Sequence, residues 1–138
     1  MLLFPLLLAI APAASAGQAP PPGQSTEECD GSQAERLACL QRTAARAGGD
    51  VTQAEQALLT ALRRWDEEPR FAAAARQRLA ESRTAYARYR AAQCGLHAAL
   101  GGGAIGSALE MRRLNCAAAL DSVRAGELRR LASQLPRR

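Results

Sequence analysis

Four cysteines follow a stretch with the form of an export signal, and together they constrain this chain more than any other feature. Residues 1–16 are apolar and end in the small-x-small pattern Ala14-Ser15-Ala16. Such a stretch is typical of a signal peptide and is too short for a membrane-spanning helix. Export places thiols in an oxidising compartment, so an even number of cysteines predicts two disulfides. The cysteines are Cys29, Cys39, Cys94 and Cys116.

The leader also sets the expected location and the domain boundaries. We expect cleavage near Ala16 and a soluble periplasmic or secreted product, without lipoprotein modification, since no cysteine lies at the cleavage site. Residues 1–16 lack the basic residue that usually starts a signal peptide. A membrane anchor is therefore the alternative. Residues 17–28 are rich in proline and glycine and predict a disordered leader. Residues 29–135 then predict one helical domain.

The composition after Cys29 favours an all-α fold, because it is rich in alanine and lacks strand-like runs of Val, Ile and Thr. A capping box, Ser32-x-x-Glu35, starts the first helix. Its apolar stripe continues at steps of three and four to Trp65, across Gly48-Gly49. We therefore expect one long helix over about 32–66 that is kinked at Gly48-Gly49, or two collinear helices with a second capping box, Thr52-x-x-Glu55.

Two further helices follow, which predicts an antiparallel three-helix bundle. Pro69 suits the first turn of the second helix, whose stripe has heptad spacing and whose end is marked by Gly101-Gly102-Gly103. A third capping box, Ser107-x-x-Glu110, starts the last helix. The heptad stripe of the second helix is Leu79, Ser82, Tyr86, Tyr89, Gln93 and Leu96, and the stripe of the third is Leu109, Cys116, Leu120, Val123, Leu128 and Leu131.

This topology brings all four cysteines to one end of the bundle. Cys94 and Cys116 lie on either side of the glycine turn and can face each other across the helical hairpin. Cys29 and Cys39 are close in sequence, so a local bridge can join them. We favour these two pairs, while the two crossed pairings remain open.

The charge pattern bears on partners and on catalysis. The formal net charge is +5 and every basic residue is arginine, which suits an anionic cell-wall or lipid partner or a plain solvated surface. We expect no nucleic-acid partner, because the arginines are not clustered with aromatic residues. The lone histidine, His97, has no nucleophile or carboxylate at a diagnostic spacing. The sequence therefore predicts a non-enzyme with no catalytic residue, metal or cofactor.

Several motifs resemble the lysozyme inhibitor LprI family, which is found in exported bacterial proteins. They are the spaced pair Cys29 and Cys39, Glu55-x-x-Leu58, Tyr86-x-x-Tyr89-Arg90-x-x-x-Cys94, Gly101-Gly102, Cys116 and Arg124-x-x-x-Leu128. The resemblance covers the whole expected domain and implies a lysozyme-inhibiting binding protein. The chain departs from the family pattern at Leu59, Arg83, Tyr86 and Ala91.

Two regions are candidates for partner binding. Tyr86, Tyr89 and Arg90 are residue types favoured at interface hot spots, although their heptad positions favour a helix seam in which Arg90 pairs with a carboxylate. The Gly101–Gly106 loop can protrude and carries Ile105, and acidic residues lie near the first cysteine. Lysozyme is the partner that the family implies. The alternative is an envelope-associated module that recognises anionic cell-wall or lipid groups through surface arginines. The acidic residues are Glu27 and Glu28.

Overall fold

A computed structural model describes residues 29–137, which form a bundle of three α-helices. They are α1 (Gln33–Arg63), α2 (Pro69–Ala99) and α3 (Ala108–Gln134), and no strand occurs within the described range. A hydrogen bond joins the starts of α1 and α3, from Gln33 Nε2 to Ser107 Oγ. Thus α1 and α3 run in the same direction and α2 runs antiparallel to both. The predicted all-α three-helix bundle is confirmed.

Helix α1 is continuous across its two glycines. It begins with the predicted capping box, in which Ser32 and Glu35 bond each other's backbone amides. The predicted alternative of two collinear helices is wrong, because the helix runs without a break through Gly48 and Gly49. Thr52 is not a cap: its hydroxyl donates to the carbonyl of Gly48, 3.3 Å away, a bond that is often associated with helix bending.

Helices α2 and α3 begin close to the residues that the sequence predicts, but neither has a side-chain hydrogen bond at its N-cap. Pro69 lies in the first turn of α2, after the N-cap Glu68. Ser107 is the N-cap of α3, yet its side chain makes no capping bond, because its hydroxyl accepts from Gln33 instead. Glu110 binds Arg113 rather than the cap. The third predicted capping box is therefore wrong: a contact with α1 engages Ser107, and a pair within α3 itself engages Glu110.

The core consists mainly of small residues between α1 and α3. One cluster lies near the helix starts and contains Leu40, Ala44, Leu114 and Ala118. A second cluster, near the other end, is where the first half of α2 joins through Leu79. A third cluster contains only α2 and α3 residues, namely Cys94, Cys116 and Ala117, with Leu120 packed against it. The second half of α2 thus contributes buried apolar residues only to a cluster that it shares with α3.

The buried face of α2 departs from the predicted heptad stripe after Tyr86. Tyr89 and Leu96 are both 53% exposed, whereas Arg90 is partly buried. A straight helix has 3.6 residues per turn, so a seven-residue repeat drifts by about 20° per heptad. The next inward-facing residue after Tyr86 is therefore Arg90, four residues later, and not Tyr89, three residues later. The predicted seam positions Tyr89 and Leu96 are wrong for this reason.

The inward face of α3 also differs from the predicted stripe. Val123 and Leu131 are exposed, and Ala117, Ala118 and Ala125 are almost completely buried. Alanines allow the closest approach of α1 and α3. No described helix is long and apolar enough to span a membrane.

Both favoured disulfides are present. Cys29 bonds Cys39, and Cys94 bonds Cys116, with Cα–Cα distances of 5.7 and 5.4 Å. The first bridge fixes the segment before α1 to the second turn of that helix. The second bridge fixes the end of α2 to α3. The crossed pairings are excluded.

Candidate functional site

A polar cluster lies between α2 and α3, centred on Asp121. This carboxylate is only 2% exposed. Its Oδ1 accepts from the Tyr86 hydroxyl at 2.7 Å and from Arg90 Nε at 2.9 Å. Its Oδ2 accepts from Arg90 Nη2 at 2.7 Å. The two-pronged pairing with arginine satisfies a charge that would otherwise be costly to bury.

Neighbouring side chains extend the cluster on both sides. Arg124 donates from Nη2 to Ser82 Oγ at 2.9 Å and lies over the ring of Tyr86. Arg124 Nε is buried and has no hydrogen-bond partner. On the α1 side, the buried Glu55 pairs with Arg83 at 2.8 Å. Polar contacts therefore join each helix to a neighbour.

Burial changes the chemistry of the tyrosine in this cluster. It raises the pKa of Tyr86 well above its ordinary value, and the hydrogen bond to Asp121 adds to the effect. The phenol therefore stays protonated and acts as a donor. Because Tyr86, Arg90 and Asp121 are engaged with one another, the cluster fits helix positioning better than substrate contact, in line with the seam interpretation of Arg90.

An exposed apolar surface lies at the disulfide end of the bundle, in the loop between α2 and α3. We call this loop, residues 100–107, the glycine loop. This loop has no charged residue. Ile105 is 87% exposed and Leu100 is 68% exposed. Gly102 and Gly106 have positive φ angles of 58° and 66°, which favour glycine. Gly101 packs so closely on Leu109 that a side chain would collide with it.

The glycine loop is anchored on each side. The Cys94–Cys116 disulfide joins α2 to α3, the two helices on either side of the loop. The hydroxyl of Ser107 accepts a hydrogen bond from Gln33 at the start of α1. The tip is therefore an uncharged, apolar projection on a fixed base. A projection of this kind can enter a cleft on another protein with little loss of conformational freedom.

The predicted site residues fall into three groups. Tyr86 and Arg90 lie in the polar cluster, whereas Tyr89 and Ile105 are exposed and available for contact. Glu27 and Glu28 lie outside the described residues. Within residues 29–137, no group of three His, Cys, Asp or Glu side chains is placed to hold a metal ion.

Sequence reasoning missed Asp121, the carboxylate on which the cluster depends. An aspartate between Leu120 and Ser122 on a helix resembles a surface residue. The signal that could have found it is position: it lies three and four residues from buried alanines, Ala118 and Ala125. A polar residue on an inward stripe needs a partner, and Arg90 of the neighbouring helix was the available one.

The fold and site define a small disulfide-stabilised helical module with an internal polar cluster and an exposed apolar tip. The chain belongs to the lysozyme inhibitor LprI family, whose family model matches residues 25–128. Comparison with the curated proteins and with the solved structures found no match. The family description gives the class of function as inhibition by binding.

Proposed function

We propose that this protein is an exported, non-catalytic binding protein that inhibits lysozyme, and that the glycine loop makes the contact. The observation that carries the proposal is the family membership over residues 25–128, joined to an apolar tip in which Ile105 is 87% exposed. Two disulfides agree with an oxidising compartment, which supports export.

The absence of charge from the glycine loop matters for this partner. A chain of net charge +5 is repelled by a basic lysozyme, which slows association. A tip without charged side chains avoids adding to that repulsion at the point of contact. Apolar residues on an anchored loop can then supply binding energy through burial.

The test is inhibition of lysozymes of differing net charge by the purified mature protein and two variants. Ile105→Asp places a charge on the tip, and we expect at least a tenfold rise in the inhibition constant. Val123→Asp is the matched control, because Val123 is 61% exposed but lies about 24 Å along α3 from the end of the loop, at 1.5 Å per residue. Both variants should keep the melting temperature.

Equal inhibition by the wild type and Ile105→Asp would exclude the glycine loop as the contact. Absence of inhibition for every lysozyme tested would refute the inhibitor role itself.

The second candidate function is recognition of anionic cell-wall or lipid groups by surface arginines. Among the described residues, seven arginines lie in ion pairs with carboxylates, which lowers their value to an external anion. This function predicts binding to anionic envelope material that fades with added salt. Salt-sensitive binding without any lysozyme inhibition would favour it over the inhibitor role.

A further inference from the structure

A basic cleft lies at the disulfide end, between the starts of α1 and α3 and the end of α2. It has a volume of about 470 Å³. Its polar lining comes from Arg36, His97, Arg112 and Asn115, and its apolar lining includes Leu40 and Met111. Among the described residues that line it, none carries a carboxylate.

The two arginines of this cleft are not neutralised by the acids next to them in the sequence, Glu35 and Glu110. Glu35 is held by the backbone amide and hydroxyl of Ser32. Glu110 is held by Arg113 through two bonds of 2.6 and 2.7 Å. Within residues 29–137, Arg36 has no carboxylate partner within 4.0 Å, and the same holds for Arg112, whose Nε donates to the carbonyl of His97.

We propose that the basic cleft binds a small ligand with a carboxylate on a compact, partly apolar body. Guanidinium groups match carboxylates in geometry and charge. The volume lies within the range of small-molecule sites, which combine an apolar lining with a few convergent polar groups. The starts of α1 and α3 add positive helix-dipole ends at this place, against one negative end from α2.

Two sources of the carboxylate are consistent with this chemistry: an acidic sugar and the free carboxyl terminus of a short peptide. Both can bring an uncharged body against Leu40 and Met111 while the carboxylate meets Arg36 and Arg112. The glycine loop borders the cleft through Gly101 and Ala104, but its exposed tip residue Ile105 does not line it. This binding therefore does not depend on the proposed inhibition of lysozyme, which is assigned to Ile105.

The experiment uses matched acidic and neutral probes in calorimetric titration with the intact mature protein. N-acetylmuramic acid is compared with N-acetylglucosamine, which lacks the carboxylate. N-acetyl-D-alanyl-D-alanine is compared with its carboxamide. We expect one acidic probe to bind at least tenfold more tightly than its neutral partner, and the pair that does so identifies the source.

Two double variants locate the binding. Arg36→Gln with Arg112→Gln should reduce affinity for the acidic probe at least tenfold. The matched control is Arg64→Gln with Arg137→Gln, in a second cleft of about 300 Å³ at the other end of the bundle; it removes the same charge and should leave affinity within twofold. All four side chains belong to exposed residues, so melting temperatures should not change.

Three results would overturn the proposal. They are no binding of either acidic probe, equal binding of acidic and neutral probes, and equal loss in both double variants. Ile105→Asp separates the two proposals: it should raise the inhibition constant at least tenfold and leave probe binding unchanged. If the Arg36 and Arg112 variant loses inhibition while no acidic probe binds to the wild type, the cleft belongs to the lysozyme contact and the small-ligand site is refuted.

Discussion

Asp121 accepts three hydrogen bonds from α2 although its side chain is almost completely buried. Arg90, its main partner, keeps a third of its side-chain surface in solvent. The carboxylate of this ion pair is therefore buried, whereas its guanidinium group is partly hydrated. Gly48 of α1 lies on the other side, where an added Cβ would be 3.8 Å from Asp121 Oδ2.

We expect Asp121→Ala to destabilise the protein by about 2–4 kcal/mol, because it leaves Arg90 and Tyr86 without their acceptor. The exposed pair Glu127–Arg130 provides the control, and Glu127→Gln should cost far less stability, because exposed ion pairs contribute little. Chemical denaturation measures both. The double variant Asp121→Leu with Arg90→Met should lose less stability than Asp121→Ala, and a larger loss would contradict a role limited to charge pairing.

The titration of Tyr86 gives a pH-dependent prediction. Because its folded pKa is raised, its contribution to stability is complete below the ordinary tyrosine pKa of about 10 and is lost as pH rises above that value. The chain has two tyrosines, so Tyr89→Phe leaves Tyr86 as the only one. Tyrosinate absorbance in that variant should appear only well above pH 10 or together with unfolding. Ionisation at the ordinary pH in a folded protein would contradict burial of the phenol.

At the scale of helices, the sequence predicted the number, order and approximate ends of the elements. Alanine-rich composition, the Ser32 cap, Pro69 and the glycine loop all act locally, so they can be recognised locally. The inward faces were harder to predict. Alanines such as Ala125 give little hydropathy signal, although they form the close contact between α1 and α3. The inward face of α2 passes through Arg90 because a helix of 3.6 residues per turn rotates relative to a seven-residue repeat, and a heptad pattern ignores that rotation.

The failed caps have a related cause. Thr52 and Ser107 each match a short capping pattern, but Thr52 lies within a continuous helix and Ser107 is engaged by Gln33. A four-residue motif cannot reveal either contact. The same limit explains why the basic cleft was missed, since Arg36 and Arg112 are far apart in the chain and meet only after folding.

Glycines offer a matched test of element stability. Gly49 lies within α1, and an added Cβ there would meet nothing within 4 Å. Gly49→Ala should therefore stabilise the protein by about 0.5–1 kcal/mol through helix propensity. Gly101→Ala should destabilise it, because the new methyl group collides with Leu109. Thermal denaturation compares the two, and a loss of stability in Gly49→Ala would indicate that α1 needs a bend at that glycine.

At the scale of the whole molecule, the bundle is unevenly held. α1 and α3 pack along their length, whereas the second half of α2 contributes buried apolar residues only to a small cluster that it shares with α3, around one disulfide. That half of α2 also supports the glycine loop. The stability of the proposed contact surface therefore depends on Cys94–Cys116 more than on Cys29–Cys39.

Removing each bridge separately tests this dependence. The bridges join cysteines 22 and 10 residues apart, so loss of either costs about 3 kcal/mol in the chain-entropy model. For a domain of this size, that lowers the melting temperature by about 10–20 °C.

The two losses should differ in where they act. Replacing Cys94 and Cys116 by serine should accelerate amide hydrogen exchange in residues 86–99 and weaken lysozyme inhibition, because the loop loses its anchored base. Replacing Cys29 and Cys39 should accelerate exchange in residues 86–99 much less, because the local contact with α3 remains, and equal acceleration in both variants would contradict a local role for the second bridge.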